Sequence, residues 1–298
     1  MKLKVHHFGS GTPRVLFLHG LSSAGLVWWR IGTALAASGY PACAPDLRGH
    51  GASVHRNRYS LDAYTKDVLE TCPGPWDLVV GHSLGGAVAV RAAVAKSDFA
   101  AAFLLVDPAI TFDRATAEVV HTSIVADVSD PPTADQLLAA HPHWSREDAD
   151  HKRAALLATS VEVIRATFDH NQDWQLGNQL RSLVPAVHIL GADEDPLYTA
   201  QDFATHKTDV SALTFEQVPH TGHSIYRDDP ATVISRALAM LSHEDRATTD
   251  SRHETRDPRD EARGSDGFRG GPSAAYAFPT DQSRTRSLRP GLPPPGVP

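Results

Sequence analysis

The pentapeptide Gly81-His82-Ser83-Leu84-Gly85 carries the sharpest chemical signal in this chain. It follows the apolar run Trp76-Asp77-Leu78-Val79-Val80 and precedes an alanine-rich helical pattern from Leu84 to Lys96. A serine on such a strand-to-helix turn occupies strained backbone that lifts its hydroxyl clear of the sheet. Small flanking residues relieve the crowding, which accounts for Gly81 and Gly85. The helix that starts here aims its positive end and unpaired N–H groups at the same point, so an oxyanion beside the Leu84 amide would be stabilised. The implied chemistry is attack on a carbonyl by Ser83.

A serine hydroxyl is a poor nucleophile until a neighbouring base takes its proton. Of the 17 histidines, His223 is the best placed, in the loop Pro219-His220-Thr221-Gly222-His223-Ser224 between the extended run Thr214 to Val218 and the helix opened by Asp228-Asp229-Pro230. Loops at the carboxyl ends of parallel strands are where α/β proteins keep their sites. His220 is its natural rival. A carboxylate must then orient the imidazole. After the run Ala186 to Leu190 comes Gly191-Ala192-Asp193-Glu194-Asp195-Pro196, with three acids, and Asp107 ends the run Phe103 to Val106.

Taken in order, these motifs resemble the α/β-hydrolase family, in its serine-nucleophile branch with a helical cap. The resemblance runs from about Lys2 to Leu241. It includes Phe17-Leu18-His19-Gly20-Leu21, Asp46-Leu47-Arg48-Gly49-His50-Gly51-Ala52-Ser53, the serine turn and Thr221-Gly222-His223-Ser224. It implies His223 as base and an oxyanion hole made by the backbone N–H groups of Leu21 and Leu84. For the acid, the family spacing falls on Glu194, while the following Pro196 favours Asp195. Asp195 is the expected acid and Asp193 its alternative, with Asp107 the remaining option because some members use that strand. A serine at the turn argues against the dehalogenase and epoxide-hydrolase branches, which the family runs with an aspartate there.

The function so implied is a cofactor-free serine hydrolase that cleaves a small ester, lactone, thioester or activated C–C bond through an acyl-enzyme on Ser83. The same constellation serves lyases and cofactor-free peroxidases, and a non-catalytic ligand-binding protein is a further alternative.

The elements that must position these residues follow from patterning. Apolar β-rich runs at Lys2–Phe8, Val15–Leu18, Ala42–Pro45, Leu78–Val80, Phe103–Val106, Ala186–Leu190 and Thr214–Val218 alternate with helical patterns at Ser23–Ser38, Leu61–Thr71, Leu84–Lys96, Ala200–Thr208 and Ala231–Ser242. That alternation predicts a mostly parallel sheet with helices on both faces. The expected organisation is an α/β core of residues 1–109 and 182–242, a helical cap of 110–181 and a disordered tail of 243–298. In the cap Phe112, Ile124, Trp144, Phe168 and Trp174 are apolar, and Trp144, Phe168 and Trp174 are candidates to line a substrate pocket. The tail is rich in Arg, Asp, Ser, Gly and Pro, too poor in apolar residues to offset the entropy of ordering.

Composition narrows the partners. A net charge of −7 gives no electrostatic reason to bind nucleic acid or an anionic membrane. The two cysteines, Cys43 and Cys72, match no metal or redox motif. His141-Pro142-His143 with Glu147 and Asp148 matches no metal-ligand spacing and reads as a helix start capped by Ser145. The expectation is a small-molecule substrate, no metal or organic cofactor, and a cytoplasmic location, since neither a secretory signal nor an apolar run of spanning length is present.

Overall fold

Val15–Leu18 is apolar at every position and has no accessible surface, as expected of a strand covered on both faces. It is β2 of seven strands: β1 (Val5–Phe8), β2 (Val15–Leu18), β3 (Ala42–Pro45), β4 (Trp76–His82), β5 (Ala100–Val106), β6 (Ala186–Ala192) and β7 (Leu213–Val218). The computed structural model describes residues 1–207 and 212–254. The sheet order is β1-β3-β2-β4-β5-β6-β7, with β1 antiparallel to β3 and every other pair parallel.

Alternation along the strands feeds two cores. Leu16, Leu18, Val79, Phe103 and Leu105 point to one face, which is closed by α2 (Leu61–Thr71) and α3 (Leu84–Ala95) together with Tyr64, Val68 and Val88. Val15, Phe17, Leu78, Val80 and Leu104 point to the other. There Ile31 and Leu35 of α1 (Trp29–Ala37) and Val233, Ala237 and Leu241 cover them.

Between β5 and β6 lie only helices: α4 (Arg114–Ser129), α5 (Ala134–Ala140), α6 (Arg146–Leu157), α7 (Val161–Asp169) and α8 (Gly177–Arg181). Thr133 and Ser145 start α5 and α6 with reciprocal capping boxes. The stems of this insertion meet, because Phe112 N–H donates to Trp174 O and Leu176 N–H to Ile110 O. Met1–Ser251 nevertheless forms one compact unit. After β6 come α9 (Ala200–His206), α10 (Ile225–Asp228) and α11 (Pro230–Glu254).

The tail expected from residue 243 is partly corrected. α11 continues through it to Glu254, and Asp245 accepts a 2.8 Å hydrogen bond from Tyr40 Oη and pairs with Arg14. Polar residues extend a helix where such tertiary partners exist, which composition alone does not register. The remainder of the expected tail, 255–298, lies outside the described residues. No described helix is long and apolar enough to cross a membrane.

The loop after β3 is organised by one carboxylate. Asp46, 1% exposed, accepts from Gly25 N–H (2.7 Å) and Ala52 N–H (2.9 Å) and contacts His6 Nε2 at 3.1 Å. Burial alone would raise its pKa, but these hydrogen bonds outweigh it and hold the carboxyl at about 2. The folded-state value lies below the unfolded one, so the contribution to stability is present above about pH 4 and is lost as pH falls through about 2. Asp46→Asn is expected to cost about 2 kcal/mol at pH 7, read as a lower urea midpoint. The gap from the parent narrows in acid; a gap that is constant from pH 7 to 3 would contradict this account.

Candidate active site

Ser83 occupies φ 50°, ψ −118°, left-handed backbone that a side chain rarely adopts. The turn is possible because its neighbours lack side chains. A Cβ on Gly85 would stand 2.1 Å from Leu18 O, and one on Gly81 2.7 Å from Gly85 O. Helix α3 thus starts directly against the end of β2. Ser83 N–H donates to Val106 O at 3.2 Å and Ser83 O accepts from Ala109 N–H at 3.1 Å, tying the elbow to the end of β5.

The residue between Val106 and Pro108 is the partner of His223. His223 Nδ1 lies 2.6 Å from Asp107 Oδ2. Asp107 has no accessible surface and also sits at positive φ, 40°. Leu197 N–H reaches both its oxygens at 3.0 and 3.1 Å, and Tyr198 N–H reaches Oδ1 at 3.0 Å. The two amides and the imidazole together satisfy a buried carboxylate that would otherwise be costly.

The expectation of Asp195 as the acid is therefore corrected, and so is its alternative Asp193. Asp195 takes the turn at φ 49° that brings Leu197 and Tyr198 over Asp107. Asp193 accepts from Gln217 Nε2 (3.0 Å) and His220 N–H (3.3 Å), while the Asp193 and Glu194 amides donate to Thr221 O. The acid-rich segment after β6 thus positions the His223 loop and Asp107, and none of its own carboxylates meets the His223 ring. His220 donates its backbone to that loop, and its ring makes no contact with Asp107.

Two residues hold the His223 loop, His82 to the sheet and Asp228 to the helical insertion. His82, fully buried, is pushed well below the ordinary histidine range by burial and then by the neighbouring His223. It is neutral near pH 7, and its Nε2–H donates to His223 O at 2.9 Å. The two imidazoles lie 4.5 Å apart, centroid to centroid, so His223 stands directly beside the residue that precedes Ser83. Asp228 accepts from Gly222 N–H (3.0 Å) and from Trp144 Nε1 (2.6 Å), linking the loop to the helical insertion.

His19 fixes the other side. Its pKa is lowered by burial, so the ring is neutral, and Leu47 N–H donates to Nε2 at 2.9 Å. Nδ1 therefore carries the proton and donates to Gly20 O at 2.7 Å. In a planar trans peptide the next N–H points opposite to that carbonyl, so the Leu21 amide faces away from the His19 ring. A Cβ on Gly20 would lie 3.2 Å from Ser83 Cβ, placing this peptide at the elbow.

The expected pocket residues separate. Trp174 donates Nε1–H to Ala109 O (2.8 Å), and its ring packs at 5.2 Å from Phe112 and 6.3 Å from Phe168. Trp144 belongs to a different cluster with Leu137 and Ala149, stacked on His141. The sequence reading missed His82 as a clamp, Asp228 and Arg227. Only His82 had a signal, its place inside the serine motif.

Residues 15–237 match the model of the alpha/beta hydrolase family, and the chain belongs to that family. It is similar to lipase LipV of Mycobacterium tuberculosis, 38% identical over 44% of this chain, a stretch that spans about half (52%) of that lipase. It is also similar to esterase Rv0045c of the same organism, 28% identical over 78% of this chain and 84% of the esterase. Among solved structures, the N-formylmaleamic acid deformylase of Pseudomonas putida S16 superposes with a TM-score of 0.66, covering 78% of this chain and 94% of that one. At 21% identity that likeness speaks for the fold.

Gly85→Ala is expected to destabilise the protein by about 3 kcal/mol or to prevent soluble expression, because the added methyl meets backbone and not a yielding side chain. Urea denaturation of the variant is the check. Stability equal to the parent would show that α3 can back away from β2.

Proposed function

We propose that the protein is a serine hydrolase of carboxylic esters or closely related acyl bonds. Ser83 is the nucleophile, His223 its base and Asp107 the carboxylate that orients the imidazole. The observation that carries this reading is the 2.6 Å contact of His223 Nδ1 with the buried Asp107, made beside a serine held in left-handed backbone. With Nδ1–H committed to Asp107, the His223 tautomer leaves Nε2 bare to accept the Ser83 proton. The Leu84 amide at the start of α3 and the Leu21 amide, turned by His19, hold the oxyanion. His223 then protonates the leaving group, and water releases the acyl group from Ser83 by the same steps in reverse.

The relatives named lipase and esterase support an acyl substrate. Trp144, Phe168 and Trp174 do not form one pocket wall, so the acyl group is left undefined by them.

Ser83→Ala should abolish turnover of p-nitrophenyl butyrate and labelling by a fluorophosphonate while leaving the folded state intact. Asp107→Asn is expected to lower kcat by about 10⁴, whereas Asp195→Asn stays within roughly threefold of the parent. A crippled Asp195→Asn beside an active Asp107→Asn would reverse the assignment.

A further inference from the structure

Two cations, Arg227 and Lys152, act on His82 beside the elbow, and neither forms a salt bridge among the described residues. Arg227, on α10, is 2% exposed. Its guanidinium lies 4.9 Å over the Trp144 ring and 4.6 Å over the Tyr226 ring. Nη1 donates to Ser224 Oγ at 3.2 Å, and Nη2 is buried with no hydrogen-bond partner. Lys152, partly buried on α6, has no hydrogen bond or ion pair among the described residues. Two of the nearby carboxylates are otherwise engaged, and a third, Asp127, pulls on Lys152 without forming a salt bridge with it. Asp228 serves Trp144 and Gly222, and Asp148 serves Arg30, Trp29 and Ser145.

The two charges act on each other and on the triad's neighbour. Burial first, and then Arg227, lowers the Lys152 ammonium to about 8, against an opposing pull from Asp127. Both cations also depress His82, whose ring touches those of His223 and Tyr226. A lysine can shed its proton under such pressure, but a guanidinium cannot. An uncompensated buried guanidinium is costly, and its faces are already covered by aromatic rings. What is left without a partner is the hydrogen-bonding edge at Nη2, the part of arginine that matches a carboxylate.

We propose that Arg227 and Lys152 form a subsite for a carboxylate on the substrate, so that the preferred ester carries a free carboxylate a few bonds from the scissile carbonyl. The inference rests on the hydrolase reading above and names its substrate class. Lys152 stands at the more open side and Arg227 anchors the anion beneath Trp144. The helical insertion and the His223 loop then each contribute one cation.

The test compares p-nitrophenyl hemisuccinate with neutral p-nitrophenyl butyrate on the parent, Arg227→Gln and Lys152→Met. The parent is expected to favour the hemisuccinate about tenfold or more in kcat/KM. Each variant should lose about tenfold more on the hemisuccinate than on the butyrate, mainly through KM. Lys152→Met carries the comparison should Arg227→Gln fail to fold. Succinate titrated into Ser83→Ala protein by calorimetry reads the subsite without turnover, and heat abolished by Lys152→Met supports it. Equal use of the two esters by the parent, or equal losses on both in the variants, overturns the proposal and leaves the hydrolase reading standing. Succinate binding in a parent that neither hydrolyses an ester nor takes a fluorophosphonate would do the reverse.

Discussion

The site depends on one buried carboxylate. Asp107 and His223 are 116 residues apart, and their 2.6 Å contact exists only because three adjacent parallel strands end at the same level. Asp107 N–H donates to Leu190 O on β6, and the preceding Val106 O accepts from Ser83 N–H at the end of β4. The carboxylate therefore sits between the elbow and the turn after β6. It has no access to water, so each of its oxygens must be satisfied by the chain. Leu197 and Tyr198 meet that demand with main-chain amides, and His223 takes the remaining position.

The strain in the site is distributed in the same way. Ser83, Asp107 and Asp195 all occupy positive φ, at the ends of β4, β5 and β6 respectively. Each would be unfavourable in isolation; Ser83 and Asp107 donate their backbone N–H to the neighbouring strand, and beside Asp195 the Asp193 and Glu194 amides donate to Thr221 O. Gly81 and Gly85 permit the first of these bends by letting α3 close on β2. The imidazoles of His19 and His82 then act as rigid spacers. Both are buried and neutral, and each donates its one proton to a backbone carbonyl at the site. Neither needs to react for its position to matter.

Electrostatics distinguishes the two sides of the site. On one side Asp107 is fully satisfied and faces an imidazole. On the other, Arg227 and Lys152 present positive charge, and neither forms a salt bridge among the described residues. Trp144 connects the sides, since its indole donates to Asp228 while its ring lies under the Arg227 guanidinium. Trp144 thereby couples the helical insertion to the His223 loop, within the same compact unit as the sheet.

Much of the frame was legible in the sequence, because strands buried on both faces must be continuously apolar and their turns must carry glycine. β2 and β3 and helix α2 match their expected limits, and the Gly-His-Ser-Leu-Gly turn falls where a strand gives way to a helix. The turns that present Ser83 and His223 were identifiable because their local neighbours, Gly81, Gly85 and Gly222, mark them. The carboxylate that meets His223 was not. Asp107, Asp193, Glu194 and Asp195 all follow strands, and spacing cannot say which carboxylate is sealed from water against an imidazole. α11 passed residue 243 for a similar reason, since Arg14 and Tyr40 meet Asp245 only after the chain has folded back. Local composition determines which backbone shape each segment adopts. Only the tertiary structure decides which of several equivalent charges becomes buried, because burial is set by neighbours distant in sequence.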